Sequence, residues 1–289
     1  MYLVIDIGGT WTKYGYYTGE GKVTENGKYE TINTTIDAFY QKIESLLVKE
    51  VSGVAISMPG LLDSSTGYVH AITLLPFLAG HNLKEELQQY IGLPVSIEND
   101  AKCATLGEMW KGSMQEVNNG LMMVLGSGIG GTIIINGKIY KSLHHKAGEI
   151  GSILMPEDRQ YTMMTNFGRH NNANALIRAV SQKIGCKEDG DIIFKEIETN
   201  SQAKEIFSIY CRQIAFMIYN LDYILDLDLI SIGGGISEQQ ILITTLQQEF
   251  ENLRTQYQED NHSPIIVASH LHNEANLLGA LYHHLYGEI

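Results

Sequence analysis

Short apolar runs and helical stripes alternate along this chain, with glycine clusters between them. Residues 2–7 read as a buried strand, and beyond Gly8-Gly9-Thr10 a second strand covers 13–18 and ends at Gly19-Glu20-Gly21-Lys22. The pattern predicts a hairpin. A dinucleotide fold would need a helix directly after the glycines, whereas Tyr14, Tyr16 and Tyr17 favour strand, so the Rossmann reading fails. Apolar positions Ile36, Phe39, Tyr40, Ile43, Leu46 and Leu47 mark a helix over 36–48, and a strand over 51–57 closes at Met58-Pro59-Gly60. A short amphipathic helix (83–91), a strand (94–98) and a helix (101–110) started by Asn99-Asp100 follow.

The second part repeats the theme. Strands over 121–125 and 132–135 bracket another glycine turn, and Asn136-Gly137 turns tightly into 138–140. From Asn172 the period becomes helical, with a long helix over 203–225. A strand (229–232), Gly233-Gly234-Gly235, a helix (237–257), a strand (265–268) and a closing helix (274–286) complete the chain.

One glycine motif occurs twice, Ile7-Gly8-Gly9-Thr10 and Ile129-Gly130-Gly131-Thr132. A Gly-Gly pair lacks the Cβ atoms that keep a ligand away and lets backbone N–H groups converge on an anion. Both copies read as turns that admit phosphate, and two such turns suggest two domains facing one polyphosphate. With 289 residues, about two domains are expected. The polar stretch 112–120 sets the expected boundary: a smaller α/β domain over 1–114 and a larger one over 115–289, the last helix (about 274–286) packing back on the first.

Composition then removes classes of partner. Lys plus Arg total 20 against 33 for Asp plus Glu, a formal charge of −13, so nucleic acid and anionic membranes are poor partners. No apolar run approaches the roughly 20 residues of a membrane span, and no signal core precedes Asp6. Cys103, Cys186 and Cys211 are odd in number and widely spaced, which fits reduced thiols and a cytoplasmic protein.

Several motifs carry chemistry. In the segment from Asp6 to Lys13, a strand-end carboxylate precedes a glycine turn, a hydroxyl and a lysine; the turn and Thr10 can hold phosphate oxygens, and Asp6 can hold Mg²⁺ through its waters. The alternative is an ordinary hairpin turn. In Gly126-Ser127-Gly128-Ile129-Gly130-Gly131-Thr132 the glycines are too dense for a plain strand interior. Gly234 and Gly235 can seat a ribose or adenine at a helix start, or simply connect strand to helix. In Glu98-Asn99-Asp100 the Asn or Asp caps a helix, or the three consecutive polar groups bind substrate where a strand delivers the chain to a cleft, with Asp100 as general base. Glu149, between Gly148 and Gly151, can accept hydrogen bonds from sugar hydroxyls or stand in a surface turn. The paired histidines lack any metal-binding spacing.

In this order the motifs resemble the ROK family, inside the actin-like and hexokinase-like ATPase superfamily. The resemblance implies an α/β protein of two actin-like (ribonuclease H-like) ATPase domains with an interdomain cleft, and an ATP-dependent sugar kinase using Mg²⁺. It assigns phosphate and metal to Asp6, Gly8, Gly9, Thr10 and Lys13, with Gly128, Gly130, Gly131 and Thr132 gripping from the other domain. Gly60, Asn99, Asp100, Glu149 and Ser152 would hold the sugar, and Asp100 would take the proton of a primary hydroxyl, the 6-OH, as the γ-phosphoryl transfers. Specificity would lie in loops around Gly60, 75–81 and 149–169, and adenine contacts are guessed at 276–279. Many relatives carry His where this chain has Ser152, and a cysteine-rich loop where 156–169 has none, so structural zinc is not expected. The small Ser152 would leave room for an aglycone, which favours a β-glucoside or disaccharide over free glucose, fructose or N-acetylmannosamine. Homodimers are implied. A sugar-responsive repressor is disfavoured because a DNA-binding module would have to precede Tyr2 and the charge is wrong; a sensor without activity is disfavoured by Asp6 and Asp100.

Overall fold

Strand β1 (Tyr2–Ile7) pairs antiparallel with β2 (Trp11–Tyr17), and β2 with β3 (Val23–Glu30), in the computed structural model, which describes residues 1–156, 164–259 and 262–287. There follow α1 (Ile36–Glu44), β4 (Val54–Met58), the hairpin of β5 (Leu61–Asp63) and β6 (Tyr68–Ala71), α2 (Leu83–Ile91), β7 (Val95–Asn99) and α3 (Asp100–Lys111). The sheet order is β3-β2-β1-β4-β7, with β4 parallel to β1 and β7 parallel to β4. Every residue of β4 is buried, as a parallel strand covered on both faces requires. Leu3, Ile5, Ile7, Ile56 and Ile97 form the middle of this core.

Caps fix the helices. Asn82 accepts from the Glu85 N–H to begin α2, and Gly92 ends it in the left-handed region at φ 70°. Strand β3 has no counterpart in the sequence reading. Its residues are mostly exposed, as suits an edge, and its internal Asn26-Gly27 reads as a turn; Tyr14 covers Gly27, where a Cβ would stand 2.6 Å from the phenol oxygen.

The chain divides into two compact units. The first takes Met1–Gln115, Lys141–Ala147 and the segment from Asn273; the second takes Glu116–Tyr140 and Gly148–His272. The second unit contains β8 (Gly120–Leu125), β9 (Ile129–Ile135), β10 (Lys138–Ile139), β11 (Leu154–Pro156), β12 (Met164–Asn166), α4 (Phe167–Asn171), α5 (Ala173–Ile184), α6 (Gly190–Thr199), α7 (Ser201–Leu225), β13 (Leu229–Gly233), α8 (Gln240–Gln256) and β14 (Ile265–Ala268). Its main sheet has the order β10-β9-β8-β13-β14, again with an antiparallel trio and two parallel additions. Leu121, Met123, Leu125, Phe207, Ile214, Ile230 and Ile232 are at the heart of its core.

The last helix, α9 (Ala275–Tyr286), belongs to the first unit and packs on α3. The approach is so close that a Cβ on Gly279 would stand 1.7 Å from the Cys103 carbonyl oxygen, and one on Gly107 2.3 Å from that of Ala275. Among the described residues, no helix is long and apolar enough to cross a membrane.

Candidate active site

In the first unit, the parallel strands β1, β4 and β7 end in the Gly8–Thr10 turn, in Pro59-Gly60 and in Asn99-Asp100, respectively. Carboxyl ends of parallel strands are where α/β folds gather ligand-binding groups. Thr31 stiffens the first turn: its hydroxyl donates to the Gly8 carbonyl at 2.7 Å, so the Thr12 hydroxyl, 3.0 Å away, donates to Thr31. The Gly8 N–H is already used on the Trp11 carbonyl at 3.2 Å. Gly9 and Thr10 are exposed and keep the outward part of the turn.

Asp6 is half-buried at the end of β1. Its Oδ1 accepts from the Ser57 hydroxyl at 2.8 Å and from Asn276 Nδ2 at 3.0 Å, while Lys13 Nζ donates to Asn273 Oδ1 at 3.0 Å. In the stretch 276–279, expected to contact adenine, Asn276 donates to Asp6 and Gly279 is pressed against α3.

Asn99 does cap α3, accepting from the Lys102 N–H at 3.2 Å. Its amide protons go to the Gly60 carbonyl and to Asp100 Oδ1, both at 3.1 Å. Both amide protons are thus used, and they tie Gly60 to Asp100. The Ala101 N–H adds a second bond to Asp100 Oδ1 at 2.8 Å, which fixes the plane of that carboxylate. Gly60 has φ 114°, and a Cβ there would stand 2.7 Å from the Ala71 carbonyl oxygen of β6.

Three more groups belong here; the sequence singled out Glu98 together with Asn99 and Asp100, but not Lys141 or Ser57. Glu98 is buried; its Oε1 accepts from the Asn99 N–H at 2.7 Å, and its Oε2 meets Lys141 Nζ at 2.6 Å in an ion pair whose alignment falls short of a hydrogen bond. Lys141 also donates to the Ser64 hydroxyl at 2.7 Å. Ser57, opposite Asp6 in the β1–β4 register, is the third, and nothing in the sequence reading singled it out. Beneath them lies Cys103. Burial, then the Glu98 carboxylate, push its thiol well up, against a Ser57 hydrogen bond that pulls it down.

In the second unit the glycine motif is placed differently from the expectation. Gly130, Gly131 and Thr132 are not a turn: they lie inside β9, opposite Val124, Met123 and Met122, and the buried Thr132 hydroxyl has no hydrogen-bond partner among the described residues. The turn that matches Gly8-Gly9-Thr10 is Gly126-Ser127-Gly128. Packing accounts for Gly131, because a Cβ there would stand 2.6 Å from the Gly148 carbonyl oxygen, and for Gly151, 2.4 Å from that of Ile129. These contacts lay the 148–152 loop on β9, with Ile150 buried and Glu149 and Ser152 exposed.

Gly128 and Gly235 differ from those packing glycines. Both are exposed, and a Cβ on either would meet nothing within 4 Å. Gly234, at φ 92°, is pressed on the Leu125 backbone, which brings the Gly234–Gly235 turn beside the Gly126–Gly128 turn at the ends of the adjacent parallel strands β8 and β13. Of the loop expected to govern specificity, 157–163 lie outside the described residues. A cavity of about 350 Å³ lined by Met155, Thr165, His170, Asn171 and Gln213 involves none of the expected ligand-binding residues. Among the described residues there is no cluster of three or more His, Cys, Asp or Glu fit to hold a metal.

The chain is similar to known proteins in sequence and fold. The family model described as the ROK family matches residues 2–285. A β-glucoside kinase of Listeria innocua is 32% identical over 292 residues, covering 98% of this chain and 97% of that protein. The crystal structure of a ROK family protein from Streptococcus pneumoniae in complex with sucrose superposes with a TM-score of 0.88 at 31% identity, covering 98% of each chain. A ROK family glucokinase from Streptomyces griseus, in complex with glucose and AMPPNP, shares the fold with a TM-score of 0.81 at 23% identity, covering 97% of each chain.

Proposed function

The chain belongs to the ROK family, and from that premise we propose that it is a cytoplasmic sugar kinase that moves the γ-phosphoryl group of Mg-ATP to the 6-hydroxyl of a β-glucoside or disaccharide. The observation that carries the reading is the Asp100 carboxylate, held by two donors on Oδ1 and delivered with Gly60 and Asp6 to one edge of the first sheet. In such an arrangement the carboxylate orients the attacking hydroxyl and accepts its proton as the bond to phosphorus forms and ADP leaves. The transition state of phosphoryl transfer is loose, so fixed orientation contributes more than base strength.

The chain's residues fit the nucleotide and its cation. Exposed glycines with open space beside Cα, Gly128 and Gly235, suit close approach of phosphate or ribose to backbone. Gly9 and Thr10 are the exposed donors of the first hairpin, and Lys13 supplies positive charge. Asp6 accepts from Ser57 and Asn276 on Oδ1, which leaves Oδ2 to a cation or its water. A magnesium ion held there would neutralise charge on the phosphate oxygens.

Glu149 and Ser152, both exposed, are assigned to the sugar, and the small serine is what favours a substituent at C1. A homodimer is part of the proposal, with the exposed Ile209, Phe216 and Tyr223, spaced by seven along α7, as the face to examine. The test is ADP release from Mg-ATP with glucose, fructose, N-acetylmannosamine, cellobiose and an aryl β-glucoside. Turnover is expected to favour the glycosides and to yield 6-phosphates. Turnover on free monosaccharides alone would replace this reading by a free-hexose kinase.

A further inference from the structure

The antiparallel register of β1 and β2 sets Asp6 directly opposite Lys13. Residues so paired rise from the same face of the hairpin, and opposite charges there ordinarily attract. Here neither side chain enters an ion pair among the described residues. Lys13 Nζ is turned to Asn273 Oδ1, and Asp6 Oδ1 to Asn276 Nδ2 and the Ser57 hydroxyl.

We propose that Asn273 and Asn276 are positioning residues that keep Asp6 and Lys13 apart, so that the carboxylate stays available to a divalent cation and the ammonium to nucleotide phosphate. The inference rests on the reading of this hairpin as the phosphate-binding element. An amide suits the task because it offers a carbonyl to the ammonium and an N–H to the carboxylate while neutralising neither. An aspartate at 276 would repel Asp6, and a lysine would cancel its charge.

The chain holds these amides accurately. Asn273 lies in the short 3₁₀ turn (His272–Glu274) that leads into α9 and Asn276 in the first turn of α9, so the entry to the helix presents both to the hairpin. The helix cannot drift, because Gly107 and Gly279 bring the α3 and α9 backbones into contact. Ser57, fully buried on β4, holds the same carboxylate oxygen from behind. With two donors on Oδ1 the carboxylate plane is set, and its second oxygen faces away from them. Without Asn276, the nearest opposite charge to Asp6 across the strand pair is Lys13, and collapse of the two would occupy both.

Binding of Mn²⁺ to the full-length protein at saturating ADP, followed by electron paramagnetic resonance, reads the first half of this directly. Asn276→Ala should weaken Mn²⁺ by about 10- to 100-fold, the usual effect of losing a hydrogen-bond partner of a metal-binding carboxylate. Adding Lys13→Met to Asn276→Ala should restore Mn²⁺ affinity, because the competing cation is gone; a general loosening of the site would not be repaired by a second substitution. Asn273→Ala, whose contact is exposed and whose loss should leave folding intact, should weaken Mn²⁺ in the same direction and raise the KM for ATP while the KM for sugar stays within about twofold. Wild-type Mn²⁺ affinity in both single variants, or no recovery in the double variant, overturns the proposal. Absence of ADP-dependent Mn²⁺ binding in the wild type would instead remove the phosphate-binding reading of the hairpin, and this inference with it.

Discussion

Asn99 illustrates how one side chain can answer two readings at once. It caps α3 through its carbonyl oxygen and, through its two amide protons, ties Gly60 to Asp100. Capping and substrate positioning looked like alternatives in the sequence because composition cannot show that an amide has three bonds to give. Lys141 shows the opposite limit. It pairs with Glu98 from 43 positions away, and no local pattern marks it. Replacing Lys141 by Met would leave the buried Glu98 carboxylate with one partner fewer and is expected to cost about 1–3 kcal/mol, measurable as a shift of the urea midpoint at constant slope. An unchanged midpoint would mean that the pair contributes nothing net, as exposed pairs often do.

At the scale of elements, alternation and caps made most strands and helices legible, among them β1, α2 and β14. The placement of glycines was not. Gly130 and Gly131 sit within β9, and at Gly131 a second loop lies across the strand; close approach of distant backbone leaves the same sequence trace as close approach of a ligand. The α3–α9 contact is equally silent in the sequence, and Gly279→Ala should reveal it: with a Cβ only 1.7 Å from the Cys103 carbonyl oxygen, the helices must separate. A loss of about 1–3 kcal/mol or more is expected by chemical denaturation, together with weaker Mn²⁺ binding as α9 shifts. The β5–β6 turn has its own pH signature. Burial pushes the Asp63 carboxyl up, yet bonds from Ser65 and Thr66 prevail and hold it at about 2. Its contribution is therefore complete above the unfolded value of about 3.9 and fades as pH falls toward 2, so amide exchange in this hairpin should accelerate only in that acid window.

Across the whole molecule, the two units repeat one strand order, three antiparallel strands followed by two parallel ones. The recurring Ile-Gly-Gly-Thr hinted at this repetition, although the matching turns are Gly8-Gly9-Thr10 and Gly126-Ser127-Gly128. Continuity of the chain gives no sign that Lys141–Ala147 joins the first unit. Burial ranks the three thiols: Cys103 and Cys211 are buried with thiols pushed up, whereas Cys186 is half-buried. A disulfide reagent should label Cys186 first in the native protein, with the other two following only on unfolding; prompt labelling of Cys103 would show that its surroundings open to solvent.

Comparison of Asp100→Asn with the wild type, by ADP release from Mg-ATP and by equilibrium binding of the favoured glycoside, tests the central claim most directly. In Asp100→Asn kcat should fall by about 10²- to 10⁴-fold, the range of a lost general base, while glycoside affinity stays within a few-fold. Turnover that survives the substitution would contradict the role given to Asp100 and, with it, the kinase mechanism built on the edge of the first sheet.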